Sequence, residues 1–311
     1  MRTIDCAALL RENDGFLILT HKKPDGDAVG SAAALCHGLR RLGKTAYLYK
    51  NPEIVDAHQE FTAPYYAPPE FAAAYIISVD TASEEMFPVG FAGAVDLAVD
   101  HNGSNTMYAK NTLLFPELSS CGEVVFELLS ELRLDVDATE ATLLYIAVST
   151  DTGCFCYSNT TPNTLRTAAR LIECGADNGA LNKKLFRAVS KARIALEGMI
   201  YSAIELYMDG RVAVAPLTLQ MVERSGAVED DLDDIAGLAG RIAGVSVSAT
   251  LREVIGGKTK VSLRTSGDVD ANAVCALFGG GGHLKAAGCR VDAGVEGTAQ
   301  LLLDAMRPYM K

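Results

Sequence analysis

A series of short apolar segments, each followed directly by aspartate or histidine, constrains this chain more than any other feature. The segments are residues 15–20 before His21, 73–79 before Asp80, and 94–99 before Asp100. Continuous apolar runs of this length are typical of strands that are buried on both faces of a parallel sheet. Because ligands of open α/β sheets bind at the carboxyl ends of the strands, we expect the polar residues that follow these strands to meet at one edge.

Helical segments alternate with the strands in the first part of the chain. A further strand is predicted at 45–49, and the predicted helices cover residues 28–42, 122–132, 138–149 and 162–174. Strands that alternate with helices in this way are typical of an open, mostly parallel sheet with helices on both faces. The fold class of this part is therefore predicted to be α/β.

A second, smaller mixed α/β domain is predicted after a helical linker. The predicted elements are strands at 212–216 and 288–291, helices at 231–239, 270–277 and 294–311, and a hairpin at 245–254 and 258–264 around Gly256-Gly257. A length of 311 residues also favours two domains. The expected division is 1–180 for the first domain, 181–208 for the helical linker and 209–311 for the second domain.

Net charge and cysteine spacing indicate which partners and which cellular compartment are expected for this chain. The formal net charge of −11 argues against a long duplex substrate, because long nucleic acids are held largely by lysine and arginine. There is no apolar run of 18 residues and no signal-like start, so neither a membrane partner nor secretion is expected. The eight cysteines have no spacing typical of zinc ligands or disulfides, which favours a reducing cytoplasm.

The aspartates and histidines at the strand ends predict a metal site. Carboxylates that converge repel one another and are costly to bury unless a cation compensates them. In the turn Asp25-Gly26-Asp27 each aspartate could serve a different ion, and Asp80 has two oxygens that could bridge two ions. Mixed histidine and aspartate ligands favour manganese, with cobalt, zinc or magnesium as substitutes.

Each cluster taken alone has an ordinary structural explanation. The Asp25-Gly26-Asp27 segment could be a simple turn, and Asp80 could cap a helix. Asp100-His101-Asn102 could be an ordinary loop at a strand end, and His21 could be an ordinary histidine at a strand end. Four such coincidences at strand ends and helix ends, in this order, are far less common than any one of them. The metal site is the better interpretation.

These motifs, in this order, resemble the Asp-His-His (DHH) phosphoesterase superfamily, and most closely its bacterial nanoRNase/pAp phosphatase branch. The resemblance covers nearly the whole chain. The motifs are residues 21–31 (HKKPDGDAVGS), 79–81 (VDT), 100–102 (DHN), 150–155 (TDTGCF), 279–283 (GGGGH) and 286–288 (AAG).

The resemblance implies that 1–180 is the catalytic metal-binding domain and 209–311 the substrate-binding domain, with the catalytic cleft between them. It also implies a pair of divalent metal ions and a set of ligands. The first ion would be held by His21, Asp25 and Asp80, and the second by Asp27, Asp80, His101 and Asp151. The resemblance further implies that Asp80, Asp100, His101 and Asn102 form the catalytic set, with Asp100 as a supporting acid. A homodimer is a further expectation.

Asn102 is a departure from the pattern that names the superfamily, which has a second histidine at this position. In relatives that histidine faces the substrate phosphate and can protonate the leaving group. Asparagine can donate a hydrogen bond but cannot give up a proton near neutral pH. The predicted metal ligands are all retained, so an active enzyme is expected.

Glycines and an arginine in the second domain could bind phosphate. A run of glycines brings backbone N–H groups close to an anion, and arginine is a natural bidentate partner for phosphate. From the residues alone, a flexible loop and a surface arginine are equally acceptable interpretations. With the family pattern, substrate binding is expected from Arg264, Gly280, Gly281, Gly282 and His283.

The function that the resemblance implies is hydrolysis of short oligoribonucleotides, together with removal of the 3′-phosphate from pAp. A close alternative is a phosphodiesterase for cyclic or linear dinucleotides such as c-di-AMP or pApA. An alternative of another class is a nucleotide-binding regulator without catalysis, which only Asn102 suggests.

Overall fold

The computed structural model describes residues 1–232 and 235–310, and it divides the chain into two compact units, residues 1–188 and 189–311. Three residues lie outside the described part of the chain. Asp233 and Asp234 fall inside the predicted helix 231–239, and Lys311 is the last residue of the predicted helix 294–311 and of the predicted second domain. Among the described residues, every helix is too short or too polar to cross a lipid bilayer.

The first unit contains five strands and seven α-helices among its described residues. The strands are β1 (Phe16–Leu19), β2 (Ala46–Leu48), β3 (Tyr75–Val79), β4 (Leu97–Asp100) and β5 (Asn111–Leu114). The helices are α1 (Thr3–Glu12), α2 (Gly26–Arg41), α3 (Asp56–Thr62), α4 (Cys121–Glu131), α5 (Ala138–Asp151), α6 (Pro162–Glu173) and α7 (Asn178–Asn182). A single π-helical turn, Lys183–Arg187, follows α7.

All strand pairs in the first sheet are parallel, and the strand order is β2-β1-β3-β4-β5. The chain runs outward from β1 to β2 and then returns to β3 on the other side of β1. This reversal places a crevice at the carboxyl ends of β1 and β3, which is where ligands bind in such sheets. The predicted fold class is confirmed for this unit.

A nearly continuous apolar helix forms the centre of the first unit. Residues 143–149 of α5 are all buried, and the helix packs against α2, α4 and α6. Two glycines on α2 allow a very close approach, because an added Cβ would lie 2.3 Å from the Leu143 carbonyl oxygen at Gly30 and 2.5 Å from Thr150 at Gly26. The amino end of α2 therefore lies against the carboxyl end of α5.

The second unit is built on a six-stranded mixed sheet of order β10-β11-β9-β8-β7-β6. The strands are β6 (Glu205–Tyr207), β7 (Val212–Leu217), β8 (Val247–Val254), β9 (Lys258–Thr265), β10 (Gly281–His283) and β11 (Ala286–Val291). The helices are α8 (Lys191–Ser202), α9 (Leu219–Ser225), α10 (Ala271–Ala276) and α11 (Val295–Met306). Separate apolar clusters cover its two faces.

Several elements differ from the sequence expectations. The linker 181–208, expected to be helical, contains β6, a three-residue strand at the sheet edge whose first two side chains are exposed. The predicted helix 231–239 is replaced by 3-10 turns at Glu229–Leu232 and Ile235–Arg241. Part of the glycine run forms β10, which pairs with β11.

The close packing of α2 on α5 predicts a specific sensitivity to side-chain size. Gly30→Ala should lower the free energy of unfolding by about 1–3 kcal/mol, because a methyl group would overlap the Leu143 carbonyl. Urea unfolding at constant pH measures the change. The matched control is Gly179→Ala on α7 of the same unit, where the nearest atom is 3.4 Å away and little change is expected. Equal unfolding curves for the two variants would contradict the packing argument.

Candidate metal centre

The loop after β1 delivers three of the predicted ligands. His21 follows the strand, and Asp25 caps α2 by accepting hydrogen bonds from the backbone N–H groups of Asp27 and Ala28, at 3.0 and 3.1 Å. Asp27 lies in the first turn of α2 and is buried. Helix capping thus holds Asp25, and the helix itself fixes the direction of Asp27.

The ends of β3 and β4 supply the central residues. Asp80 follows β3 directly and has a left-handed backbone conformation with φ +51°, which aspartate tolerates better than most side chains. Its backbone N–H donates to the Val99 carbonyl at 3.0 Å, so the turn is anchored on the neighbouring strand. His101 follows the last residue of β4.

Two groups of possible ligands share Asp80. In the first group, Nε2 of His21 lies 3.7 Å from Oδ2 of Asp80 and 3.9 Å from Oδ1 of Asp25. In the second, Nε2 of His101 lies 3.6 Å from Oδ1 of Asp80 and 3.6 Å from Oδ2 of Asp27. The two oxygens of Asp80 therefore face different histidines.

Asp151 joins the second group from the carboxyl end of α5. Its Oδ2 lies 3.9 Å from Nε2 of His101. An anion at the carboxyl end of a helix is unfavourable, because the helix dipole is negative there. A nearby cation would remove this penalty. Asn159, which donates to the Asp151 backbone carbonyl at 3.1 Å, fixes the turn that follows.

Backbone contacts set the tautomers of both histidines. Nδ1 of His21 lies 2.7 Å from the Lys22 carbonyl oxygen, and Nδ1 of His101 lies 3.2 Å from the Leu118 carbonyl oxygen. A carbonyl oxygen can only accept a hydrogen bond, so Nδ1 carries the proton in each ring. Nε2 can then offer its lone pair to a cation held among the carboxylates, as in most histidine–metal sites.

The buried carboxylates are not compensated by the protein alone. Asp27 accepts hydrogen bonds from the backbone N–H groups of Cys121 and Gly122, at 2.7 and 2.9 Å, at the amino end of α4. Burial, together with the charges of Asp80 and Asp151, nevertheless raises the pKa of Asp27 well above its ordinary value. Burial and the charge of Asp25 likewise raise the pKa of Asp80 to about 7. Divalent cations fit this excess of negative charge and this donor set.

Asp100 has a supporting position. It is fully buried, and its Oδ1 accepts the backbone N–H groups of His101 and Asn102 at 2.7 and 3.0 Å. Its Oδ2 accepts the side-chain amide of Asn105 at 2.6 Å. Asp100 therefore orients the turn that carries His101.

Asn102 points into the carboxylates. Its amide nitrogen donates to Oδ1 of Asp80 and to Oδ1 of Asp100, each at 2.9 Å. These contacts place the asparagine amide beside Asp80, where it can restrain the carboxylate that the two ligand groups share.

Sequence reasoning missed the contacts that hold Asp27. Ser31 donates to Oδ1 of Asp27 at 2.9 Å from one turn along α2, and the α4 backbone meets it from more than 90 residues away. The spacing of Asp27 and Ser31 could have indicated the first contact. The contact with α4 has no local signal, because it depends on how α4 packs in the folded unit.

A third group of possible ligands contains His37, Asp137 and Glu140. Arg41 contacts both carboxylates, with a guanidinium nitrogen 2.6 Å from Glu140 and another 3.5 Å from Asp137. Because this cation already pairs with both, the group is better explained as an ion-pair network.

The predicted substrate-binding residues lie in the second unit. Arg264 on β9 and His283 on β10 both align with Ala286 of β11, so they lie in one row across the sheet. At Gly280 and Gly282 an added Cβ would lie 2.3 and 2.5 Å from carbonyl oxygens of β11. These two glycines are therefore explained by close strand packing. The N–H of Gly282 donates to Asn272.

Comparisons with known proteins identify the family to which the chain is related. The profile of the DHH family, N-terminal domain, matches residues 15–148, and that of the DHHA1 domain matches residues 209–311. The bifunctional oligoribonuclease and PAP phosphatase NrnA of Thermus thermophilus is 34% identical over 289 residues, which cover 91% of this chain and 86% of that protein.

Two solved structures show the same fold. An exopolyphosphatase-related protein from Bacteroides fragilis has a TM-score of 0.80 and 26% identity, over 99% of this chain and 96% of that one. RecJ from Thermus thermophilus, in complex with Mn²⁺, has a TM-score of 0.52 and 17% identity, over 98% of this chain and 55% of that one.

The raised pKa of Asp80 predicts how metal-free protein responds to pH. Its pKa is about 7 in the folded state and about 3.9 in the unfolded chain. Between these two pKa values, Asp80 is ionised in the unfolded chain but still protonated in the folded protein. The free energy of unfolding therefore falls as the pH rises. Between pH 5 and pH 8, the free energy of unfolding of the wild type in chelator should fall by roughly 2–3 kcal/mol more than that of Asp80→Asn.

Urea unfolding at several pH values measures this difference, and added manganese should abolish the loss in the wild type. Identical pH dependence in the wild type and the variant would show that Asp80 ionises normally, against the electrostatic account of the site.

Proposed function

The chain belongs to the DHH phosphoesterase family, and we propose that it hydrolyses short oligoribonucleotides and removes the 3′-phosphate from pAp. The observation that carries this proposal is the position of Asp80, whose two oxygens face two separate groups of metal ligands. The name of the Thermus relative, which describes both activities, supports the choice of substrates.

In the proposed site, each ligand group holds one divalent ion. The first ion would be held by His21, Asp25 and Asp80, and the second by Asp27, Asp80, His101 and Asp151. When bound, such an ion pair polarises a phosphoryl oxygen and lowers the pKa of a coordinated water. Manganese suits the mixed nitrogen and oxygen donors best, and cobalt, zinc or magnesium are substitutes.

The residues around the ligands hold the site in shape. The backbone N–H groups at the start of α4 fix Asp27, and Asp100 fixes the turn that carries His101. The Asn102 amide restrains Asp80 and can also donate a hydrogen bond to an anionic oxygen. It cannot protonate a leaving group, so that proton has to come from water or from the substrate.

Substrate phosphates would be bound by the second unit, through Arg264, the glycines 280–282 and His283. An overall charge of −11 favours short substrates over long duplexes, because few phosphates can be neutralised. A cytoplasmic location and a homodimer are part of the proposal. The eight cysteines, which are all free thiols, suit a reducing compartment.

Asp80→Asn tests the shared role of Asp80. The substitution keeps the shape and tolerates the left-handed backbone but removes the charge that both ligand groups use. With manganese, turnover of pAp and of a five-residue RNA should fall about a thousandfold or more, since metal catalysis contributes several kcal/mol. The control is Asp209→Asn, which also replaces an aspartate of positive φ, at an exposed site in the second unit.

Three outcomes would contradict parts of the proposal. Normal turnover by a folded Asp80→Asn variant would exclude the shared ligand. Wild-type protein that binds pAp without turnover would favour a regulator. A strong preference for c-di-AMP or pApA over the five-residue RNA would favour the dinucleotide phosphodiesterase.

A further inference from the structure

The segment 118–122, which leads into α4, orients two residues of the second ligand group. The carbonyl oxygen of Leu118 lies 3.2 Å from Nδ1 of His101. The backbone N–H groups of residues 121 and 122 donate to Oδ2 and Oδ1 of Asp27, at 2.7 and 2.9 Å. A shift of this segment would therefore move a histidine and a carboxylate of the same ligand group.

The same segment reaches a third member of the second group through Asn159. The side-chain amide of Asn159 donates to the Ser119 carbonyl at 3.2 Å and to the Asp151 carbonyl at 3.1 Å. It also donates, at 3.4 Å, to Oδ2 of Asp151, the oxygen that faces His101. The positions of three residues of the second group thus depend on where the segment 118–122 lies.

A buried glutamate holds this segment from the first turn of α4. Glu123 is only 1% exposed, and its Oε2 accepts the Ser119 backbone N–H at 3.0 Å and contacts the Ser119 hydroxyl. Asn163 and Thr164, in the first turn of α6, contact the same carboxylate at 3.0 and 3.1 Å. All of these partners can donate hydrogen bonds, which offsets the cost of burying the carboxylate.

The contact between Glu123 and Ser119 differs from that in an ordinary capping box. Ser120 caps α4 by accepting the Glu123 N–H at 3.3 Å, and serine followed three residues later by glutamate is the capping-box pattern. In a capping box the glutamate accepts the N–H of the capping serine itself. Here the carboxylate accepts the N–H of Ser119, one residue earlier, so it holds the segment that enters the helix.

The first ligand group is held independently of Glu123. In the described part of the chain, the side chains of His21 and Asp25 form their hydrogen bonds within residues 21–28. Asp80, which both groups share, receives its hydrogen bond from the amide of Asn102. A change at Glu123 should therefore disturb one ligand group and spare the other.

We propose that Glu123 is a positioning residue for the second ligand group. Its carboxylate holds the segment 118–122, and this segment orients His101, Asp27 and Asp151. The inference rests on the proposed function in one respect, because it takes the two ligand groups to hold divalent ions. Replacing residues that orient metal ligands commonly lowers metal affinity by about ten- to a hundredfold.

Manganese binding by Glu123→Gln tests the inference on the intact chain. Glutamine keeps the size of the side chain, but whichever way its amide turns, the NH₂ group meets a neighbour that also donates. EPR of free Mn²⁺ should show two bound ions in the wild type and an affinity for one of them that is about tenfold or more lower in the variant. In crystals at limiting manganese, the anomalous peak beside His101 should weaken while the peak beside His21 stays.

Glu140→Gln is the matched control for an effect on stability alone. Glu140 is also a buried glutamate of the first unit, and it pairs with Arg41 in the first turn of α5, at the opposite end of that helix from Asp151. This substitution should lower the free energy of unfolding and leave both manganese affinities unchanged. Equal losses of manganese affinity in the two variants, or unchanged affinity in Glu123→Gln, would overturn the inference.

Ser119→Ala keeps the inference testable if Glu123→Gln does not fold. It removes only the hydroxyl contact with Glu123, so the affinity for the same ion should fall about fivefold. The control is Ser130→Ala on α4, whose hydroxyl donates to the Phe126 carbonyl at 2.9 Å and which should bind manganese like the wild type. Equal manganese affinities in these two serine variants would count against the role of Glu123.

Manganese binding is measured without turnover, so this inference and the proposed function can fail separately. Wild-type protein that binds two ions without hydrolysing pAp or RNA would contradict the proposed function alone. Normal wild-type turnover, together with unaltered manganese binding in Glu123→Gln and Ser119→Ala, would contradict the inference alone.

Discussion

The mutual repulsion of four carboxylates is the interaction on which the rest of the site depends. Asp25, Asp27, Asp80 and Asp151 converge on two histidines, and burial makes the ionised state of Asp27 and Asp80 costly. A protein that gathers such groups without a cation would lose stability for no structural gain. Two cations held on either side of Asp80, as proposed, would relieve the repulsion and at the same time supply the chemistry of phosphoester hydrolysis.

Unusually close packing of two helices makes this arrangement of carboxylates possible. Gly26 and Gly30 bring α2 against α5, so that Asp27 and Asp151 approach from opposite helix ends. The left-handed backbone at Asp80 directs its carboxylate between the two histidines. Glycine packing in the first unit thus sets the approach of Asp27 and Asp151, and local backbone strain sets the position of the Asp80 carboxylate.

The parts of the fold that could be predicted have strong local signals. The apolar runs before His21 and Asp80 became β1 and β3, because a buried parallel strand needs an uninterrupted apolar sequence. The convergence of the strand-end residues followed from sheet topology alone. The family assignment and the fold class are confirmed, whereas the roles of the individual site residues remain predictions.

Other parts of the fold depend on contacts between residues far apart in the chain, and such contacts have no local sequence signal. The edge strand β6 has exposed side chains, and β10 is built largely from glycine, so neither shows strand periodicity. The hydrogen bonds from α4 to Asp27 join residues more than 90 positions apart.

Anomalous diffraction from crystals grown with manganese tests the central claim most directly. The electrostatic account predicts two manganese peaks, one beside His21 and one beside His101, with the Asp80 carboxylate between them. A single peak, or manganese bound away from Asp80, would contradict it.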